Sequence, residues 1–159
     1  MLKSSIIAAT IAFALLPLAA SAQGLDVKHY NYSEWTKGRF SEAVTVTGPG
    51  KLIFLAGVGA EDENGKGGDI LHKGDFMGQC RYSFDKIKRA LAKNGANLGD
   101  VVKMVTYVTD MRNGPEFGKC RVEQFGSNPL PAHTLLNISQ LAWPGMMIEI
   151  DVTAVVPLK

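Results

Sequence analysis

The chain has 159 residues, 46% of them hydrophobic and 20% charged, ordinary globular usage that excludes a disordered chain and fits one domain. Seventeen basic against fifteen acidic residues, net +2, give no electrostatic case for nucleic acid, which needs a clustered basic surface. Two cysteines are too few for a disulfide scaffold.

The first 22 residues read as a leader. Lys3 supplies a positive start, Ile6 to Leu16 is apolar apart from Thr10, and Pro17 precedes Ala20-Ser21-Ala22, a small-residue cleavage site. The apolar run is short for a membrane span, which needs about 20 residues. The organisation is therefore a signal peptide over 1–22 and a single domain over 23–159, beginning at Gln23. Removing Lys3 takes the 17 basic residues to 16 against 15 acidic. The mature protein is expected to be soluble, periplasmic or secreted, with no membrane association once the leader is gone. Such a compartment permits disulfides. Cys80 and Cys120 fall in two predicted helices and can bridge if these pack side by side, or stay as two buried thiols.

After a polar, aromatic segment over Leu25–Lys37, read as an arm or short first strand, Phe40–Thr47 is rich in β-branched residues. Gly48-Pro49-Gly50 is a strong turn, and Leu52–Val58 is an apolar run. The two segments read as a β-hairpin. A strand apolar on both faces needs cover on both. Helices supply one side, and a second subunit is the cover a short chain has available for the other. Glu61–Gly74 is a polar loop without the spacing of a calcium loop, and Gly57-Val58-Gly59 lacks the sequel of a phosphate loop.

Asp75 is a helix N-cap. Phe76, Cys80, Phe84, Ile87 and Leu91 then recur at helical spacing, and Gly95 is a stop. The basic residues Lys86, Lys88, Arg89 and Lys93 form a solvated face. Val101–Thr109 is a strand with Val102, Met104, Thr106 and Val108 on one side. A second helix spans about Gly114–Phe125, with Phe117, Cys120 and Phe125 inward and Gly126 ending it. Thr134–Ile138 is a short strand. In the last strand, Met147–Val156, Ile148, Ile150, Val152, Ala154 and Val156 share the helix-facing side, and Glu149 and Asp151 lie opposite. The fold class is α+β, a mixed sheet with two helices on one face.

Four motifs in this order resemble one family. Gly38-Arg39-Phe40-Ser41-Glu42-Ala43-Val44 is similar to the Gly-Pro-Tyr-Ser-Gln-Ala-Val opening of the RidA (YjgF) enamine/imine deaminases. The stretch from Asn94 to Lys103, Pro131-Ala132-His133-Thr134, and Leu141 to Ile150 resemble its central segment, its Pro-Ala-Arg-Ser and its C-terminal signature. The resemblance covers about residues 38–157. It implies a chorismate-mutase-like fold and a homotrimer, with sheets packed inward as a barrel and sites in the clefts between subunits. It also implies hydrolysis of reactive 2-imino or 2-enamino acids to 2-keto acids and ammonia, with an arginine gripping the substrate carboxylate and a glutamate orienting water.

The glutamate corresponds to Glu149. The arginine corresponds to His133, which has at most two donors and is mostly neutral near pH 7. The opening tyrosine corresponds to Phe40. The family's Ser-Gly-Gln is Ala56-Gly57-Val58. The expected catalytic pair is thus Glu149, as general base, and His133, with Phe40, Ala56, Gly57, Val58 and Thr134 lining the substrate site. The loss of a fixed guanidinium fork at position 133 implies a weakened carboxylate clamp and altered specificity. The alternative is a trimer that binds a small ligand without turnover. Ribonuclease activity, also attributed to this family, finds no basic–aromatic interleaving to support it. His29, His72 and His133 have no metal-ligand spacing, so neither a metal nor a cofactor is expected.

Overall fold

The computed structural model describes residues 24–158, and the leader read over 1–22 lies outside the described residues. The strands are β1 (Asp26–Tyr30), β2 (Ala43–Thr47), β3 (Gly50–Phe54), β4 (Val101–Val108), β5 (Ala132–Asn137) and β6 (Ile148–Pro157). The helices are α1 (Phe76–Lys93) and α2 (Gly114–Phe125). A four-stranded sheet runs β3-β6-β4-β5, with β4 and β5 parallel and the other pairs antiparallel. The β1–β2 pair continues it past β5, through a parallel bridge between Ser41 and Ala132 in which Ser41 N donates to Pro131 O at 3.0 Å. The sheet is mixed and the two helices cover one face.

Both helices keep their expected bounds. The Asp75 carboxylate accepts from Gly78 N at 2.9 Å and caps α1, and the whole Phe76–Leu91 stripe is buried. Phe84 meets Phe125 of α2 edge-on at 6.0 Å. Cys80 and Cys120 form a disulfide that ties α1 to α2. Gln79, fully buried on α1, accepts from Met147 N at 2.8 Å and donates to Gly145 O at 2.8 Å. It thereby fixes the chain at the entry to β6.

Two pairings differ from the sequence reading. Phe40–Thr47 and Leu52–Val58 do not form a hairpin: β2 pairs back onto β1, and β3 crosses to pair with β6. Gly48 takes the left-handed φ of 95° and reverses the chain, but a turn sets direction, not partner. The partner is set by burial, and Ile53 gains more beside Ala154 on a core strand than beside the exposed threonines of β2. In β4, Val101 rather than Val102 is buried, because a register shift between Val101 and Lys103 changes the phase of the strand.

On the face away from the helices the apolar run of β3 is uncovered. Leu52 is 54% and Phe54 71% exposed, while Ile53 between them is buried.

Candidate functional site

The expected site residues fall on both faces of the sheet. His133 is in register with Met104 and bonds to Thr106. Both partners belong to the buried side of β4, so the imidazole lies under α2. Its ring sits 5.3 Å from Phe117 and 6.5 Å from Phe40. A guanidinium can only donate, so Arg121 Nη1 gives its hydrogen to His133 Nδ1, at 3.1 Å. The ring's proton then sits on Nε2 and is donated to Thr106 Oγ1, also at 3.1 Å. Burial, with Arg121 and Lys103 nearby, pushes the His133 pKa down to about 3. His133 is a neutral ring with both nitrogens committed, and its direct role is to hold Arg121.

Arg121 is buried, 7% exposed, on the inner side of α2. Burial and the neighbouring Arg39 lower its pKa to about 10, so it remains charged at neutral pH. Its Nε has no hydrogen-bond partner. Among the described residues no carboxylate forms an ion pair with it. Beside it opens a cleft of about 1050 Å³, walled by Trp35, Phe40, Phe117 and Leu135 and bearing Arg39 and Arg121.

The opposite face carries the second group. Along β6 the buried Ile148, Ile150 and Val152 alternate with Glu149 and Asp151, which face away from the helices. Glu149 is opposite Tyr107, whose hydroxyl donates to Asp151 Oδ2 at 3.3 Å. Burial and the neighbouring carboxylates of Glu61 and Asp151 raise the Glu149 pKa. Gly57 packs directly on Glu149, and a Cβ at Gly57 overlaps the carboxyl oxygen Oε1. Ala56 is exposed beside it. Thr134 is on this face too, accepting from Lys103 Nζ at 2.8 Å. Val58 exchanges backbone hydrogen bonds with Ile150 and packs against the core on the helix side.

Within one chain, then, His133 and Phe40 belong to the helix-side cleft, Glu149, Gly57, Ala56 and Thr134 to the outer sheet face, and Val58 to the core. The two candidate catalytic groups are separated by the sheet itself.

The family model described as Endoribonuclease L-PSP matches residues 33–156. The chain belongs to this family, that of the RidA/YjgF proteins. A RutC family protein of Pyrococcus horikoshii is 32% identical over 117 residues, covering 74% of this chain and 86% of that protein. The RutC family protein YjgH of Escherichia coli is 29% identical over 127 residues, covering 79% and 89%. A solved Rid family protein of Yersinia pestis superposes with a TM-score of 0.69 at 25% identity, covering 82% of this chain and 98% of its own. Family membership supports a small-molecule deaminase or binding role.

In this RidA-family chain, position 133 has lost the guanidinium, yet a guanidinium stands beside it. Reading β5 alone misses Arg121, because it comes from α2. A signal was present: Phe117, Cys120, Arg121 and Phe125 are spaced as one inward helical stripe, and Arg121 is its one charged member. A charge in such a stripe is buried only with a partner or a purpose.

Proposed function

We propose that the mature protein is an exported homotrimer that hydrolyses a small imine or enamine at a cleft between subunits, with a specificity altered from that of a standard deaminase. The observation that carries this reading is the placement of His133 and Glu149 on opposite faces of one sheet. The helix-side cleft of one chain and the Glu149 face of another form a complete site only when two chains meet. The uncovered Leu52 and Phe54, 54% and 71% exposed, supply an apolar surface for that meeting, and burying what remains of each is favourable by roughly 1–2 kcal/mol.

The chemistry needs water added across C=N. Glu149 takes a proton from water as its oxygen bonds to the imine carbon, then returns that proton to the nitrogen. The hydroxyl of this adduct then loses its proton to Glu149, which passes it to the nitrogen, so that the C–N bond breaks, ammonia leaves and the carbonyl forms. Burial, Glu61 and Asp151 raise the Glu149 pKa, which makes its carboxylate a stronger base toward water than an unperturbed one.

A second reading, a ligand-binding trimer without turnover, is favoured by one observation: both nitrogens of His133 are committed to Arg121 and Thr106, so the ring offers no proton to a substrate. Nucleic acid is disfavoured because four of the five cations of α1 are paired with carboxylates. Arg81 pairs with Glu123, Lys86 with Glu61, Arg89 with Glu63, and Lys88 with Asp85.

The test is keto-acid release from imines generated in situ by an amino-acid oxidase, comparing small aliphatic with aromatic side chains. Faster release than the buffer rate, lost in Glu149→Gln, supports hydrolysis. Rates equal to buffer for every imine leave the binding reading. N-terminal sequencing of the exported protein tests the leader, with Gln23 expected first and a retained Met1 contradicting it.

A further inference from the structure

Two groups outside the proposed chemistry stand out: the uncovered β3 face, which the trimer absorbs, and the buried guanidinium of Arg121. The last has a physical need that nothing among the described residues meets. A guanidinium taken out of water costs several kcal/mol unless an anion and hydrogen bonds offset it. Among the described residues Arg121 has one hydrogen bond, to a neutral imidazole, and an Nε with none, and a second cation, Arg39, acts on it. Its face stacks on the Phe117 ring, with Cζ 5.5 Å from the ring centroid, which fixes its plane. The group is held rigid and charged and lacks only an anion.

We propose that Arg121, supported by Arg39, is the anion-binding group of the helix-side cleft, and that it takes the carboxylate of a small ligand whose apolar or aromatic body lies against Trp35, Phe40, Phe117 and Leu135. The carboxylate receives charge-assisted hydrogen bonds from the guanidinium. His133 is a positioning residue: its Nδ1 anchors Nη1 and Thr106 anchors the ring. Besides the two arginines the cleft is lined by Lys119, by Glu123, which is paired with Arg81, and by His133, which is committed to Arg121 and Thr106; the rest of the lining is aromatic, apolar or glycine, which suits a monoanion with a hydrophobic side chain. A sugar phosphate or a dicarboxylate would leave polar groups unpaired against these walls. The inference deepens the proposed function by naming its ligand class, and it stands without turnover.

Calorimetric titration of the mature protein with phenylpyruvate, and with phenylacetone, which carries a methyl group in place of the carboxylate, tests it. The wild-type protein is expected to bind phenylpyruvate at least roughly tenfold more tightly than phenylacetone. Arg121→Met should weaken phenylpyruvate roughly ten- to a hundredfold and leave phenylacetone nearly unchanged. Arg121→Lys, which keeps the charge but loses the fork, should fall between. Equal affinity of the wild-type protein for the two ligands, or no phenylpyruvate binding at millimolar concentration, overturns the proposal without recourse to a variant. So does full phenylpyruvate affinity in a folded Arg121→Met protein. Tight, Arg121-dependent binding with no imine hydrolysis sinks the hydrolase reading alone. Hydrolysis of aromatic imino acids unaffected at Arg121 sinks the anion site alone.

Discussion

Reducing the Cys80–Cys120 bond should cost the protein a large part of its stability and loosen the helix that carries Arg121. The bond spans a sequence separation of 40 residues, and the chain-entropy estimate for a loop of that length is about 4 kcal/mol. For a domain of this size that corresponds to a fall in Tm of roughly 10–15 °C. Both sulfurs are fully buried between α1 and α2, so truncating them also opens a cavity. Comparing the oxidised and reduced wild-type protein isolates the cross-link. Urea unfolding of the two forms should show a lower midpoint for the reduced form. Phenylpyruvate affinity should fall with it, since Cys120 adjoins Arg121 on α2. Coincident unfolding curves, for protein whose oxidation state is verified by intact mass, would refute the argument, as would two free thiols in the protein purified without reductant.

Acidification should weaken the fold through His133. Its folded pKa, about 3, lies below the ordinary 6.5, so the unfolded chain binds more protons in between. The stability it contributes is complete above pH 6.5 and is lost as pH falls toward 3, at up to about 1.4 kcal/mol per pH unit. His133→Gln keeps an acceptor and a donor but does not titrate, so its urea midpoint should fall less between pH 7 and pH 4; parallel losses would contradict this. Gly57→Ala should leave Tm nearly unchanged but displace the Glu149 carboxyl, on which the added Cβ intrudes. Imine hydrolysis should drop at least roughly tenfold, in line with losing a positioned general base, and full activity would show that Glu149 is not the base. Phe54→Glu places a charge on the uncovered face of β3 and should shift the mass by light scattering from three chains to one. A variant still trimeric at micromolar concentration would place the subunit contact elsewhere.

The elements written in local chemistry were legible from sequence. The Asp75 cap, the Phe76–Leu91 stripe and the Gly95 stop define α1, and strict alternation from Ile148 to Ala154 defines β6. Strand partners were not, because they depend on long-range burial. Nothing near Gly48-Pro49-Gly50 says that β3 will leave β2 for Ala154. The phase of β4 was lost for a related reason: Val101 and Val102 are equally apolar, and only the register shift against β6 selects Val101. At the site, the alternation of β6 placed Glu149 on the outer face correctly. The face taken by His133 depends on its register with Met104, two strands formed by residues nearly thirty positions apart. Arg121 was legible only as an oddity, a charge on an apolar stripe whose meaning needs the neighbouring ring of His133.

Mixed trimers test most directly whether the site is completed between chains. Gly118 lies on α2 at the helix-side cleft with open space before it, so Gly118→Trp should block the cleft and leave Glu149 intact. Glu149→Gln removes the base and leaves the cleft open. Each variant alone should be inactive in imine hydrolysis. In a cyclic trimer, co-expression at equal levels gives one intact site in every mixed ring, so the activity should return to about a quarter of the wild-type rate. A mixed preparation no more active than its two parents would mean that cleft and carboxylate are used within a single chain, and would contradict the account.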